Sequence, residues 1–238
     1  MEKYTCNKYN KRPFLSKNEI RQRPYKEAKF RWKDSKGREL TAGGILPYDD
    51  TGIWVIGEIN RNSIIFTDIG GKYQYQDCDI YKTIAREFGE ELYHSSDMTR
   101  EQMIELSSIC QPVYINGHKN KPVYICYIVH IDIMNGMGIY LNSELFLKNR
   151  EFVLKENPDV PSEYYSSVVL THLSFEDINN ILSTDKLQLS YRLKGILKYG
   201  CLSNKLQLNS PRENKNISIN NYEELTTELA NSVANVKI

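Results

Sequence analysis

Hydrophobic and polar positions change rhythm along this chain, and the changes mark out its elements. In ELTAGGILPYDDTGIWVIGEI (39–59) two β-rich apolar runs flank YDDTG, and that turn chemistry predicts a hairpin. NSIIFTDIGGKY (62–73) reads as a short strand running into a Gly-Gly loop. Residues 106–117 and 121–134 read as two long strands around NGHKN, whose Asn116-Gly117 step favours a tight turn. SSVVLTHL (166–173) is a further strand. SFEDINNIL follows as a helix with Ser174 at its N-cap and Asp177 in place of a capping-box Glu or Gln. SYRLKGILKYG (190–200) is a helix stopped by Gly200. Residues 202–221, rich in Asn, Ser and Lys, form a polar linker. Leu225, Leu229 and Val233 then recur at helical spacing as a short amphipathic helix. A strand-rich centre with helices on both sides predicts an α/β fold: an α/β/α sandwich around a mixed β-sheet.

One predicted helix carries unusual chemistry. DIYKTIAREFGEEL (79–92) opens on Asp79, a good N-cap. At about 100° per residue, Ile80, Tyr81, Ile84, Ala85, Phe88 and Leu92 share one face. Glu87, Glu90 and Glu91 form a single stripe at the edge of that face. The like-charged pairs each cost about 0.2–0.5 kcal/mol. Glu90 and Glu91 also meet the negative end of the helix dipole, and Gly89 adds about 1 kcal/mol relative to Ala. A solvated charged face is one explanation. A divalent cation held by oxygen ligands is the other, and it resolves the repulsion.

Composition narrows the setting. At 238 residues and 40% hydrophobic, the chain suits one domain with trimmings. No run of 18 apolar residues is present, so no membrane-spanning helix or membrane partner is expected. MEKYTCNKYNKRPF lacks an apolar stretch and does not read as a secretory signal. Five widely spaced cysteines read as reduced thiols, so the expected location is cytoplasmic. The net charge of +1 hides an asymmetry: residues 1–38 carry 13 Lys/Arg against 4 acids, a net of +9, and the rest carries −8. This predicts a basic N-terminal arm (1–38), either a solvated arm or a polyanion surface, before a catalytic-type domain (39–201) and the linker and helix (202–238).

GGKYQYQDCDIYKTIAREFGEELY (70–93) resembles the signature of the Nudix hydrolases, G-x5-E-x7-R-E-U-x-E-E-x-G-U with U apolar. Arg86, Glu87, Phe88, Glu90 and Glu91 match its core without a gap, and Gly71 matches the leading glycine. The resemblance implies a Nudix-like α/β/α sandwich and a pyrophosphohydrolase using Mg2+ or Mn2+. It implies that Glu87, Glu90, Glu91 and the Gly71 carbonyl hold the metal and that Arg86 orients the carboxylates. It also implies a general base, either a motif glutamate or an acid of a later loop, for which Glu163 is the candidate. Gly71 to Arg86 is 15 residues, one more than the pattern allows, so the first glutamate position falls on Asp77 or Cys78. The late glycine is Tyr93, which predicts a different helix exit, since tyrosine disfavours a left-handed turn.

The resemblance leaves the substrate open. The basic arm suits capped RNA and so mRNA decapping with RNA binding, a layout also resembling decapping Nudix enzymes of large DNA viruses. The alternatives are a small-nucleotide pyrophosphohydrolase acting on nucleoside triphosphates, nucleotide sugars or dinucleotides, and an inactive Nudix-like binding module. The segment GIWVIGEINRN (52–62) is a candidate lining for the nucleotide side, and Trp54, Tyr164 and Tyr165 are candidate stacking rings. His118, His130 and His172 show no ligand spacing.

Overall fold

The structure, a computed structural model, describes residues 32–33, 37, 39–60, 63–74, 76–116, 122–157, 166–184 and 188–204. Two compact units are distinguished, Met1–Leu208 and Asn209–Ile238, and every described residue belongs to the first. Glu163, Tyr164, Tyr165, His118, most of the basic arm and the amphipathic C-terminal helix lie outside the described residues.

Strand β1 (Trp32–Lys33) pairs antiparallel with β2 (Glu39–Leu40), so regular structure crosses the expected arm boundary at residue 38. The predicted hairpin is β3 (Ala42–Tyr48) and β4 (Gly52–Asn60). Asp49 ties its turn: one carboxylate oxygen accepts from the Thr51 amide (2.7 Å), the Thr51 hydroxyl (2.6 Å) and the Gly52 amide (2.9 Å). The other oxygen lies 3.0 Å from His172 Nε2.

The two strands diverge beyond the Tyr48–Ile53 pair. Strands β5 (Ser63–Thr67) and β6 (Ile69–Lys72) are halves of one bent strand wedged into the fork. Its first half pairs with β4 and its second half with β3. β7 (Pro112–Asn116) and β8 (Pro122–His130) are antiparallel, and β8 runs parallel to β3. β9 (Ser167–Ser174) lies antiparallel to β4, and the short β10 (Gln188–Leu189) parallel to β5. The result is an eight-stranded mixed sheet.

Both faces are covered. Helices α1 (Ile80–Glu91), α2 (Arg100–Ile109), α3 (Ile131–Gly136) and α4 (Ser143–Glu156) close one face. Ile84, Phe88, Met103, Leu106, Met134 and Phe146 pack there against Ile45, Ile56, Ile69 and Ile125. Helices α5 (Phe175–Thr184) and α6 (Tyr191–Tyr199) close the other, where Ile178, Leu193 and Ile196 meet Leu46, Ile53 and Val55. The fold class is therefore α/β, an α/β/α sandwich with a mixed sheet.

Several boundaries differ from expectation. Residues 106–109 are helical, the end of α2, where a strand was expected. The Thr99-Arg-Glu-Gln102 capping box starts that helix, with both reciprocal bonds formed. The strand expected to run to residue 134 stops at His130, whose imidazole accepts from the Asp132 amide (3.3 Å) and begins α3. Helix α4, absent from the sequence reading, starts at Asn142, whose side chain accepts from the Leu145 amide (2.9 Å). Its apolar residues are spread around the helix, leaving Leu145, Leu147 and Phe152 exposed, so no clean stripe announces it. Ser174 and Asp177 do form a reciprocal cap: each backbone amide donates to the other's side chain at 3.0 Å.

Candidate active site

The site is built on the flank of α1. Asp79 caps the helix, accepting from the Lys82 amide (2.8 Å), and Arg100 pairs with its second oxygen. Ile84 and Phe88 anchor the apolar face with no exposure. This fixes the helix rotation, so Glu87, Glu90 and Glu91 line the edge that faces β6 and β9.

Arg86 lies at the centre. Each of its five N–H groups has an acceptor. Nε donates to Asp77 Oδ1 (3.0 Å), and Nη2 to Asp77 Oδ2 (2.9 Å) and the Lys72 carbonyl (2.8 Å). Nη1 donates to Glu87 Oε1 (2.7 Å) and Glu90 Oε2 (2.8 Å). Asp77 also accepts from the Gln74 amide and the Thr83 hydroxyl. Burial works against its charge, yet these bonds outweigh burial and hold its pKa below the usual value. Of the two residues the motif spacing left open, Asp77 faces Arg86 and Cys78 is exposed. The extra residue is absorbed in the loop between Lys72 and Asp79.

Gly71 lies against Glu87. A Cβ there would sit 2.2 Å from Glu87 Oε2 and 2.4 Å from its carboxyl carbon, so only glycine lets the carboxylate rest on the strand. Gly70 serves the other face. A Cβ on it would sit 2.4 Å from Gly44 Cα and 2.7 Å from the Tyr124 hydroxyl. The doublet gives one close approach to each layer, as strand alternation requires.

Glu91 is half-buried at the end of the helix, and Glu87 is the least exposed of the three acids. Burial pushes the Glu91 pKa up, the Ser167 hydroxyl that bonds Oε2 opposes this, and nearby Glu58 and Glu87 push further, to about 7. Glu87 is also raised, by burial first: its bond to Arg86 does not fully offset desolvation and the proximity of Glu90 and Asp77. Glu58 of β4 is a carboxylate whose role the sequence did not reveal. Trp54, Ile56 and Glu58 share one side of the strand by period-2 alternation, and an acid continuing an apolar face was the available signal. It lies in the segment expected to line the nucleotide side, whereas Trp54 packs edge-on against His172 and against the core.

The helix exit also departs from expectation. Tyr93 and His94 both take left-handed backbone, φ 49° and 54°. So the left-handed turn is kept despite the lost glycine, at about 1–2 kcal/mol per residue. Compensation is local. The Tyr93 hydroxyl donates to the Ser167 carbonyl (2.8 Å), its ring packs edge-on to Phe146 (5.3 Å), and its carbonyl accepts from Asn149 Nδ2 (3.1 Å). Arg150 Nε donates to the same Ser167 carbonyl (3.0 Å). Tyr93 therefore orients the serine that bonds Glu91.

The donor chemistry suits a hard divalent cation. Glu87 Oε2, Glu90 Oε1 and Glu91 Oε1 have no hydrogen-bond partner among the described residues, whereas each sister oxygen is engaged. All would-be ligands are oxygens, as Mg2+ and Mn2+ prefer. As they stand, no group of three or more His, Cys, Asp or Glu among the described residues is gathered closely enough to hold an ion.

No known family's profile matches the chain, and no curated protein matches it. A solved structure does. The chain is similar to a Nudix hydrolase from Nitrosomonas europaea at 10% identity and a TM-score of 0.37, over 74% of this chain and 97% of that one. A likeness at that level carries no argument about activity, so the functional reading rests on the site's own residues. Among the described residues no helix is long and apolar enough to cross a membrane.

Proposed function

We propose that this chain is a divalent-metal-dependent pyrophosphohydrolase of the Nudix type that cleaves a nucleoside-diphosphate-linked substrate, with the 5′ cap of mRNA as that substrate. The observation that carries the reading is the Arg86 cluster: one fully engaged guanidinium fixes two of three carboxylates on one helix flank, and each of the three keeps one oxygen without a partner among the described residues. A merely solvated acidic face needs neither a buried arginine nor a glycine cut to fit a carboxylate.

In this reading Glu87, Glu90 and Glu91, with the Gly71 carbonyl, hold Mg2+ or Mn2+. A metal held there would neutralise pyrophosphate oxygens and lower the pKa of a water. Arg86 does not touch substrate, because no donor is left to do so. It sets the rotamers of Glu87 and Glu90, and Asp77 sets Arg86. Ser167 fixes Glu91. The proton acceptor is a motif glutamate or Glu163. The excess of Lys and Arg in residues 1–38 favours an RNA track, since phosphate contacts come chiefly from those residues.

The test offers cap-labelled RNA, free cap dinucleotide and a panel of small nucleotides with Mg2+ or Mn2+. Release of a nucleoside diphosphate from capped RNA is the expected result. Turnover of free nucleotides without capped RNA would replace decapping by small-nucleotide hydrolysis. No turnover of any of them would leave a binding module.

A further inference from the structure

Two guanidinium groups bracket β6. Arg86 Nη2 donates to the Lys72 carbonyl (2.8 Å), and Arg192 Nη2, from the first turn of α6, donates to the Gly70 carbonyl (3.1 Å). The two differ in what remains. Arg86 has no free N–H. Arg192 is held along one edge only: Nε by Asp68 Oδ1 (2.6 Å), Nη2 also by the Thr67 hydroxyl (2.9 Å) and the Asp68 carbonyl (3.2 Å). Tyr124 supports one face of the group, its ring centre 4.6 Å from Cζ, and its hydroxyl bonds the other oxygen of Asp68. Nη1 has no partner among the described residues, and 26% of the side chain is exposed.

We propose that Arg192 is a substrate-contacting residue of the cleft, offering Nη1 to a phosphate oxygen of the bound anion; this rests on the pyrophosphohydrolase reading above. Three features support it. The Gly70 carbonyl that holds Arg192 and the Lys72 carbonyl that holds Arg86 are two residues apart and leave β6 on the same edge, so the guanidinium sits along that edge from the Arg86 cluster and its carboxylates. A polyanion entering beside those carboxylates meets repulsion that a fixed cation offsets. The group is already immobilised by Thr67, Asp68, Gly70 and Tyr124, so little side-chain entropy is lost when an anion binds, and its planar fork suits phosphate.

The test measures binding of inorganic pyrophosphate by calorimetry with Mg2+ present, alongside hydrolysis kinetics. Arg192→Lys keeps the charge and loses the fork. Its pyrophosphate affinity is expected to fall about tenfold, the size of one charge-assisted hydrogen bond, with KM rising in step and kcat changing less. Where that variant does not fold, Arg192→Gln combined with Asp68→Asn removes the buried charges as a pair and supplies the same measurement. Ser174→Ala is the control. Ser174 caps α5 by accepting from the Asp177 amide (3.0 Å), so its loss lowers the unfolding temperature yet leaves pyrophosphate affinity unchanged. The proposal is overturned by wild-type affinity in the Arg192 variants, by an equal affinity loss in Ser174→Ala, or by a wild-type protein that binds no pyrophosphate. Arg192-dependent binding without hydrolysis of any nucleotide would sink the hydrolase reading and leave this one standing.

Discussion

Alanine at position 71 and alanine at position 70 should produce opposite defects, because the atoms that meet the new methyl differ. At Gly71 the three nearest atoms all belong to the Glu87 carboxyl group, at 2.2, 2.4 and 2.9 Å. A normal contact is near 3.4 Å or more, so Glu87 must withdraw by about 1 Å. Withdrawal breaks its 2.7 Å bond to Arg86 Nη1, a charge-assisted bond worth about 1.5–3 kcal/mol. The carboxylate is the far end of a flexible side chain, so the fold accommodates the change. Misplacing a catalytic group by about 1 Å costs on the order of 10²-fold in rate. At Gly70 the methyl meets backbone, Gly44 Cα at 2.4 Å and the Gly43 carbonyl at 2.5 Å, and a paired strand cannot withdraw. Urea unfolding followed by circular dichroism, together with initial rates on the best substrate, separates the two. Gly71→Ala should stay folded and lose about 10²-fold in kcat/KM, whereas Gly70→Ala should fail to fold at ambient temperature. Full activity in Gly71→Ala, or equal unfolding in both variants, would refute the argument that each glycine serves a different layer.

Other outcomes can be checked with the same protein. Glu90→Gln should abolish turnover with little change in unfolding temperature, since Glu90 is 41% exposed; retained activity would mean the metal stripe is misassigned. With a chelator present, protein stability should fall as pH rises from 4.5 to about 7, because folding favours protonated Glu91 and the unfolded chain ionises at the lower value. The full effect is about 3 kcal/mol, so Glu91→Gln should stabilise the chelated protein at pH 8 yet remove activity; parallel stability curves for the two proteins would contradict this. Tyr93→Phe should cost about 1 kcal/mol in stability, because Arg150 still satisfies the Ser167 carbonyl, whereas Tyr93→Gly should cost more, since lost packing outweighs relief of the left-handed backbone. Asp49→Asn should weaken the turn in acid-to-neutral titrations. Burial raises the Asp49 pKa, but Thr51, Gly52 and His172 outweigh it and hold it at about 2, so this contribution is present above 3.8 and fades as pH falls toward 2.

The sequence carried the layering and the acidic helix because both rest on local period. Apolar residues on α1 repeat with the helix, and the glutamates fall beside them, so the stripe could be placed by arithmetic alone. The failures have physical causes too. Helix α4 has no single apolar stripe. The C-terminal part of α2, read as strand, is decided by a cap several residues upstream at Thr99. Asp77 could not be preferred over Cys78 by counting, because the choice is made in space by a guanidinium nine positions later. Arg192 and Glu58 lie far from the motif, and only the fork in the sheet brings them near it. Tyr93 appeared incompatible with a left-handed turn because its hydrogen bond to Ser167, 74 positions on, has no local signature.

The Gly70–Gly71 doublet also bears on how the chain avoids misfolding. The bent strand is shared by two partners, and its neighbours in sequence are Ile69 and Lys72. A pairing error of one residue sends every side chain to the opposite face. It would bring Ile69 against Gly44 and Tyr124, where backbone leaves no room for even a methyl group, or Lys72 beneath the Glu87 carboxylate, which would have to swing away from Arg86. The doublet therefore works as a proofreading device: of the neighbouring registers, only the native one closes the strand against β3 with Glu87 still bonded to Arg86.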